Sequence, residues 1–137
     1  MSFWPEPSSF VRKRADTVLL VDDYADARET IRDLLEQHGH PVIEATNGQQ
    51  ALNLLVSQST PRIGVIVLDL NMPVMDGRQL LRLLGNYVLL KHIPVLVVSA
   101  DTGQLEEVDR KRIAGCLQAP YDPNRLLELV EACMTAA

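Results

Sequence analysis

The sequence predicts an α/β protein whose parallel sheet is covered by helices on both faces. Short apolar segments rich in valine, isoleucine and leucine alternate along the chain with longer segments of helical periodicity. The apolar segments are nearly continuous, which is typical of strands that are buried on both faces. Five such strand–helix units, joined by right-handed crossovers, predict a doubly wound five-stranded parallel sheet.

The first half of the chain contains two of these units after a leader. Residues 1–15 have no periodicity and are expected to form a flexible N-terminal leader. Residues 17–21 (TVLLV) are a predicted strand, and residues 25–38 are a predicted helix that ends at a glycine. Residues 41–45 (PVIEA) and 47–58 form the second strand and helix, with the apolar residues of the helix on one side.

The third strand is the most apolar, and it covers residues 62–68 (RIGVIVL). The helix after it is predicted from Gly77 to about Leu84, beyond a turn-rich segment. Residues 92–100 (HIPVLVVSA) form the fourth strand. The third strand is expected to be buried on both faces of the sheet, and the fourth is also apolar.

The last part of the chain contains a polar helix, a short strand and an apolar helix. Residues 103–113 (GQLEEVDRKRI) are predicted as the polar helix, and residues 116–119 (CLQA) as the fifth strand. Asp122 is the predicted N-cap of the last helix, with Pro123 in its first turn.

Length and charge limit the classes of function. A chain of 137 residues fits one domain of ordinary size with a core of its own. The net charge of −5 argues against a general nucleic-acid binder, which would present a basic face. The basic run at residues 12–14 is expected only to solvate the start of the chain.

Cysteine usage and hydropathy indicate a cytoplasmic protein with no membrane contact. Cys116 and Cys133 form neither a disulfide framework nor a metal-binding spacing, so small core residues in a reducing compartment are expected. No apolar segment approaches the roughly 20 residues that cross a bilayer. The N-terminal MSFWPEPSSF contains prolines and an acid where a signal peptide needs an apolar block.

The candidate site follows from what each predicted strand ends on. In an open parallel sheet, ligands bind beyond the carboxyl ends of the strands. Strand one ends on Asp22 and Asp23, strand three on Asp69, strand four on Ser99 and strand five on Ala119. Three carboxylates at one edge repel each other unless a cation offsets their charge. Oxygen ligands without histidine or cysteine suit Mg²⁺, which favours a phosphate co-ligand.

Each of these residues also has a purely structural interpretation. Asp22 or Asp23 alone could cap the helix that follows, and Ser99 alone could be a turn hydroxyl. Asn71 alone could be a turn residue before Met72 and Pro73. Their coincidence at one sheet edge favours a phosphate-handling site in which Asp69 is a nucleophile or a metal ligand.

Four segments together resemble the receiver domain of two-component response regulators. They are VLLVDD, VLDLNMPVMDG, VLVVSA and APYDP, and the resemblance covers about residues 16–135. It implies a receiver domain over residues 16–137 with the flavodoxin-like strand order 2-1-3-4-5. It also implies the roles of the site residues.

By position, Asp69 matches the phosphoacceptor, and Asp22 and Asp23 match the acidic pair that holds Mg²⁺ together with Asp69. Asn71 matches the residue whose backbone carbonyl also binds the metal. Ser99 matches the switch hydroxyl that moves toward the phosphoryl group. These assignments come from the family pattern and not from spacing alone.

The resemblance extends to the loop around the site and to the output face. Pro73 and Gly77 match the loop that shapes the site, and Tyr121 is assigned to the output face. Two positions depart from the family pattern. Ala119 stands where receivers normally carry lysine, and Cys116 stands at the usual aromatic switch position. The residues for phosphorylation are therefore nearly complete, whereas two of the residues that would couple it to the output face are altered.

Gln118 is a poor substitute for a lysine at position 119, because neighbouring strand residues point to opposite faces. A one-residue slip would bring it in, but it would also turn over every other side chain of the strand.

The leading hypothesis is a stand-alone response regulator that accepts a phosphoryl group from a sensor histidine kinase or phosphotransfer protein. It would act on a downstream protein target, bind neither nucleic acid nor membrane, and catalyse only its own Mg²⁺-dependent phosphorylation and dephosphorylation. No segment follows the last predicted helix, so no output domain is expected. Homodimer formation is left open.

Two other hypotheses compete with it. One is a degenerate pseudo-receiver that binds a partner without phosphorylation, as Ala119 and Cys116 would suggest. The other is a phosphohydrolase with a nucleophilic aspartate. Such an enzyme needs a second acid two residues after the nucleophile, and that position is Asn71.

Overall fold

Residues 16–135 are described by the structure, which is a computed structural model of the chain, and the predicted leader lies outside these residues. Its strands pair in parallel in the order β2-β1-β3-β4-β5, which confirms the predicted sheet. The strands are β1 (Thr17–Val21), β2 (Val42–Ala45), β3 (Ile63–Leu68), β4 (Val95–Ser99) and β5 (Gly115–Gln118).

The helices lie on both faces of the sheet, because successive residues of the central strands are buried on opposite sides. They are α1 (Ala25–Gln37), α2 (Gly48–Val56), α3 (Gly77–Leu84), α4 (Glu107–Arg110) and α5 (Pro123–Thr135). In β1, Val18 and Leu20 pack with α1 and α5, whereas Leu19 and Val21 pack with α2 and α3. All four are fully buried, which explains the continuous apolar sequence of this strand.

Local side-chain caps define where several helices begin. Asn47 accepts a hydrogen bond from the Gln50 N–H at 2.8 Å before α2. Asp76 forms a capping box with Gln79 before α3. Asp122 accepts a bond from the Asn124 N–H at 2.9 Å, so it lies where the sequence predicted a cap for α5.

The predicted polar helix over residues 103–113 is wrong in its extent. The segment is instead a 3₁₀ turn (Thr102–Gln104) followed by the four-residue α4. Leu105 separates them in an extended conformation and is 5% exposed. The helix is therefore interrupted at the residue whose side chain is buried in the core. The fifth strand also begins one residue earlier than predicted and ends at Gln118.

Candidate functional site

Three carboxylates meet at the carboxyl edge of two adjacent interior strands, β1 and β3. Asp22 and Asp23 follow β1, and Asp69 follows the adjacent β3, where its N–H donates to the Val21 carbonyl at 2.9 Å. One carboxylate oxygen from each of the three aspartates lies within 4.8 Å of the others. The structure therefore brings together the acids that the strand ends predicted.

The surroundings of these acids oppose their ionisation. Burial, followed by the charge of Asp22, raises the pKa of Asp69 to about 6, although backbone N–H groups of Asn71 and Leu70 counteract the shift. Burial likewise raises the pKa of Asp22, against a hydrogen bond from the Tyr24 N–H at 2.9 Å. A cation at this edge would offset the repulsion and favour the ionised forms.

The donor set fits a hard divalent cation. Within residues 16–135 the cluster consists of carboxylates alone, with no histidine or cysteine in it. Asp22 is buried, Asp69 is half-buried and Asp23 is exposed, so the site is open on one side for water or phosphate ligands. Oxygen ligands in a partly hydrated site are what Mg²⁺ prefers, and the three aspartates could hold it.

A cleft of about 320 Å³ adjoins the carboxylates, and we call it the acidic cleft. Ser99, at the end of β4, is 4% exposed and lines it. The Ser99 hydroxyl oxygen accepts a bond from the Asp101 N–H at 3.3 Å. Ser99 and Asp69 thus face the same cleft. Other residues that line the cleft are Asp22, Asp69, Asn71, Ala119 and Tyr121.

Ala119 and Cys116, the two positions predicted to depart from the family pattern, occupy different environments. Ala119 follows β5, donates its N–H to the Ser99 carbonyl at 2.8 Å, and precedes a cis peptide bond to Pro120. Cys116 packs against the core on the α2–α3 face. Gln118 accepts a bond from the Thr102 hydroxyl at 2.9 Å, so its side chain is engaged away from the acids, as strand alternation predicts.

Tyr121 lines the acidic cleft and packs with the α1–α5 core. Burial, and then the charges of Asp22 and Asp69, raise the pKa of its hydroxyl. The ring therefore faces the acids, and its predicted assignment to the output face stays a prediction.

The loop after β3 approaches the phosphoacceptor candidate closely. A Cβ at Gly77 would collide with the Asp69 carbonyl oxygen and lie 2.8 Å from the Leu70 Cα, so only glycine fits. Within this loop the Met75 N–H donates to the Pro73 carbonyl at 2.8 Å, and Val74 adopts φ 69°. Positive φ is strained for a β-branched residue.

Two supporting residues were missed by the sequence analysis. Arg28 of α1 donates to the Asp22 carbonyl at 2.9 Å and pairs with Glu44 at 3.1 Å, so it anchors the loop that carries two of the acids. The Gln104 amide donates to the Asn71 side chain at 3.0 Å. The position of Arg28, one turn into the helix that follows Asp22 and Asp23, could have indicated its contact from the sequence. The contact of Gln104 could not, because it depends on the 3₁₀ turn that the sequence did not predict.

Residues 18–131 match the family model described as the response regulator receiver domain. The chain belongs to the response regulator receiver family. This receiver domain resembles the structure of a response regulator receiver protein from Pseudomonas putida, with a TM-score of 0.78 and 32% identity. That match covers 89% of this chain and 99% of the other. The receiver domain of Francisella response regulator 1452 gives a TM-score of 0.77 at 28% identity over 88% of this chain and 98% of the other.

Curated relatives agree with this membership. Chemotaxis protein CheY of Pseudomonas aeruginosa is 35% identical over 117 residues, which cover 83% of this receiver domain's chain and 92% of CheY. Protein PilH of the same organism is 31% identical and is covered to 96%, with 85% of this chain aligned. The chain spans 24% of the response regulator protein FleR at 34% identity, over 85% of its own length. The receiver domain is therefore homologous to stand-alone response regulators and to part of a longer one.

Receiver domains are signalling domains of two-component systems, and they are not enzymes in the usual sense. Among residues 16–135, every helix is too short or too polar to cross a bilayer.

Proposed function

We propose that this receiver domain accepts a phosphoryl group on Asp69 with Mg²⁺ held by Asp22, Asp23, Asp69 and the backbone carbonyl of Asn71. The observation that carries the proposal is the meeting of three carboxylate oxygens within 4.8 Å, beside a cleft that Ser99 also lines. Bound Mg²⁺ would supply charge neutralisation for the phosphoryl oxygens.

The protein's own part in the chemistry is nucleophilic. An ionised Asp69 oxygen attacks the phosphorus of the donor and forms an acyl phosphate, while the bond from phosphorus to the leaving group breaks and its electron pair leaves with that group. With a pKa of about 6, Asp69 is mostly ionised at neutral pH even without metal. Ser99 donates a hydrogen bond to a phosphoryl oxygen, and Arg28 holds the acid-bearing loop through the Asp22 carbonyl.

The donor in this proposal is a sensor histidine kinase or a phosphotransfer protein in the cytoplasm, and the output is contact with a downstream protein. The membership in the receiver family and the likeness to CheY and PilH support it. The proposed receiver unit is residues 16–137, with residues 1–15 as a leader. Self-catalysed phosphorylation and dephosphorylation complete the proposal.

The test is incubation of the full chain with Mg²⁺ and acetyl phosphate, followed by intact mass measurement. We expect the mass of one phosphoryl group to be added in the natural protein. The gain should be lost in Asp69→Asn and should fall strongly with a chelator. Asp76→Asn, which changes a helix cap outside the cluster, is the matched control. A gain that survives Asp69→Asn would reject the assignment.

Ala119 and Cys116 favour a second candidate, a partner-binding module that works without phosphorylation. Its discriminating measurement is the affinity for a partner before and after phosphorylation, in the natural protein and in Ala119→Lys. A hundredfold or larger change in the natural protein, which equals about 2.7 kcal/mol of coupling, would exclude the second candidate.

A further inference from the structure

The acidic cleft contains carboxylates without a balancing cationic side chain. Among the described residues that line it, Asp22 and Asp69 are acidic and none is lysine or arginine. Arg28 lies on the nearby helix and its charge acts on Asp22, but its guanidinium is also held by the Asp22 carbonyl and the Glu44 carboxylate. A cation that enters this cleft would therefore meet negative charge that Arg28 offsets only in part, and that none of the described side chains lining the cleft offsets.

The shape of the cleft leaves room for a slender group. Three of the residues that line it are alanines, whose side chains end at Cβ: Ala27, Ala100 and Ala119. The cleft holds about 320 Å³, so a short alkyl chain fits beside the acids. An aliphatic stem would contact Ala27 and Ile31, and a terminal charge would reach the carboxylates. A lysine side chain has this form, an apolar stem that ends in a compact charge.

Next to the acidic cleft lies a larger groove of about 680 Å³ between α1 and the start of α5, which we call the α1–α5 groove. The two share Tyr24, Ala27, Ile31 and Tyr121 as lining residues. The groove has an apolar floor and carries Asp26 and Asp33. Within the described chain its lining also contains no lysine or arginine, so its charge suits a basic partner.

We propose that the acidic cleft binds an alkylammonium group, which is the lysine side chain of a protein docked in the α1–α5 groove. The lining residues that the cleft and the groove share place a groove-bound partner beside the cleft. Asp22 and Asp69 in the cleft, and Asp26 and Asp33 in the groove, favour a positively charged group. The partner thus supplies in trans the positive charge that Ala119 does not carry.

The consequence for signalling rests on the proposed phosphorylation of Asp69. A phosphoryl group adds negative charge beside Asp22, and a single divalent ion leaves the site negative. An ammonium group in the acidic cleft would donate a hydrogen bond to a phosphoryl oxygen. Docking and phosphorylation would then favour each other by the same factor, because coupling is reciprocal.

The first test measures binding without any phosphodonor, so it does not depend on the proposed function. n-Propylammonium plus the Ala119 methyl group has the composition of a lysine side chain, and n-propanol is its neutral control. We expect n-propylammonium to shift the NMR signals of Ser99 and Ala119 saturably in the Mg²⁺-loaded protein, with a dissociation constant on the order of millimolar. n-Propanol should not do so.

Two variants control this result. Ala119→Lys fills the cleft with its own ammonium group, and Ala119→Met fills it with a neutral chain of similar length. Position 119 is exposed, so both variants should fold. Both should abolish the saturable shifts. Equal shifts with n-propanol, or unchanged binding to Ala119→Met, would overturn the site.

A second arm tests delivery through the α1–α5 groove. The peptide acetyl-Leu-Lys-Leu-amide should bind roughly tenfold more tightly than n-propylammonium, because its apolar residues contact the groove. Asp33→Lys should weaken the binding of the peptide and leave the binding of n-propylammonium unchanged, since Asp33 lines the groove and not the cleft. A peptide that binds no more tightly than n-propylammonium, or whose affinity is unchanged by Asp33→Lys, would overturn the docking route.

A third arm measures the rate of Asp69 phosphorylation by phosphoramidate. n-Propylammonium should raise it roughly tenfold in the natural protein, with no rise in Ala119→Lys. Amine binding without any rate increase would overturn the coupling. If Asp69 is never phosphorylated, the proposed function fails, while the binding arms still decide the site.

Discussion

At the scale of single residues, Asp69 gives the metal-free protein an unusual dependence on pH. Its pKa is about 6 in the folded chain, whereas an unfolded aspartate titrates near 3.8. The folded state therefore holds this proton more tightly than the unfolded state, and deprotonation favours unfolding. We expect this contribution to be stabilising below about pH 4 and to be lost as the pH rises through about 6.

The measurement is the melting temperature across this pH range in a chelator, for the natural protein and for Asp69→Asn. The melting temperature of the variant should rise relative to that of the natural protein as the pH rises, because the variant has no proton to lose at this position. Saturating Mg²⁺ should reduce or reverse that gain at neutral pH, since the cation favours the ionised carboxylate. A difference between the two proteins that is independent of pH would contradict the raised pKa.

Val74 holds backbone strain in the loop that follows Asp69. It has φ 69°, is β-branched and is 82% exposed, so little packing compensates the conformation. Val74→Gly should raise the free energy of unfolding by about 1 kcal/mol, because the relief of strain exceeds the entropic cost of glycine. Val88→Gly is the control: Val88 is 71% exposed without positive φ, so this change should destabilise the protein by roughly 0.5–1 kcal/mol. Urea unfolding measures both, and a loss in Val74→Gly would contradict the account.

At the scale of elements, a buried ionic cluster joins α3 to α4. The Asp109 side chain is 1% exposed and receives two bonds from Arg82, at 3.1 and 3.3 Å. It also accepts the Glu106 N–H at 3.0 Å, and Arg78 lies 3.7 Å from it. This cluster holds the short α4 against α3. The sequence of α4 has no apolar stripe that could do so by packing.

Arg82→Ala should therefore be destabilising, because it leaves Asp109 buried with only part of its partners. We expect a loss of roughly 1–3 kcal/mol in the free energy of unfolding. Arg125→Ala removes an exposed pair with Glu128 and should cost less than about 1 kcal/mol. Chemical denaturation compares the two. Equal losses would show that the cluster does not hold α4.

The same elements explain what the sequence could predict. Each strand is a short apolar run between turn residues, so the five strands and their carboxyl-end residues follow from local pattern. The fourth helical segment does not, because its polar sequence gives no apolar stripe and its shape depends on burying Leu105 and Asp109. Those contacts join residues far apart in sequence, such as Arg82 and Asp109.

At the scale of the whole molecule, the sheet order places the ends of β1 and β3 side by side, and this creates the acidic cluster. The convergence of three aspartates was predictable because parallel strands share one carboxyl edge. The position of the acidic cleft next to the α1–α5 groove was not predictable, since it depends on how α1 packs beside the start of α5.

Mg²⁺ should stabilise the whole fold, because it binds the assembled cluster and not the unfolded chain. At a Mg²⁺ concentration a hundred times the dissociation constant, binding would add about 2.7 kcal/mol to the free energy of unfolding. Asp23→Asn should remove most of the rise in melting temperature, whereas Asp26→Asn, which lies outside the cluster, should retain it. A melting temperature indifferent to millimolar Mg²⁺ would favour the phosphorylation-independent module.

The central claim is that Asp69 itself carries the phosphoryl group, and the most direct test locates that group in the chain. After reaction with acetyl phosphate and Mg²⁺, borohydride reduction converts an aspartyl phosphate to homoserine, which tandem mass spectrometry assigns to a position. We predict homoserine at position 69 alone, and none when Mg²⁺ is chelated. Homoserine at position 22 or 23, or at no position despite an added phosphoryl mass, would contradict the account.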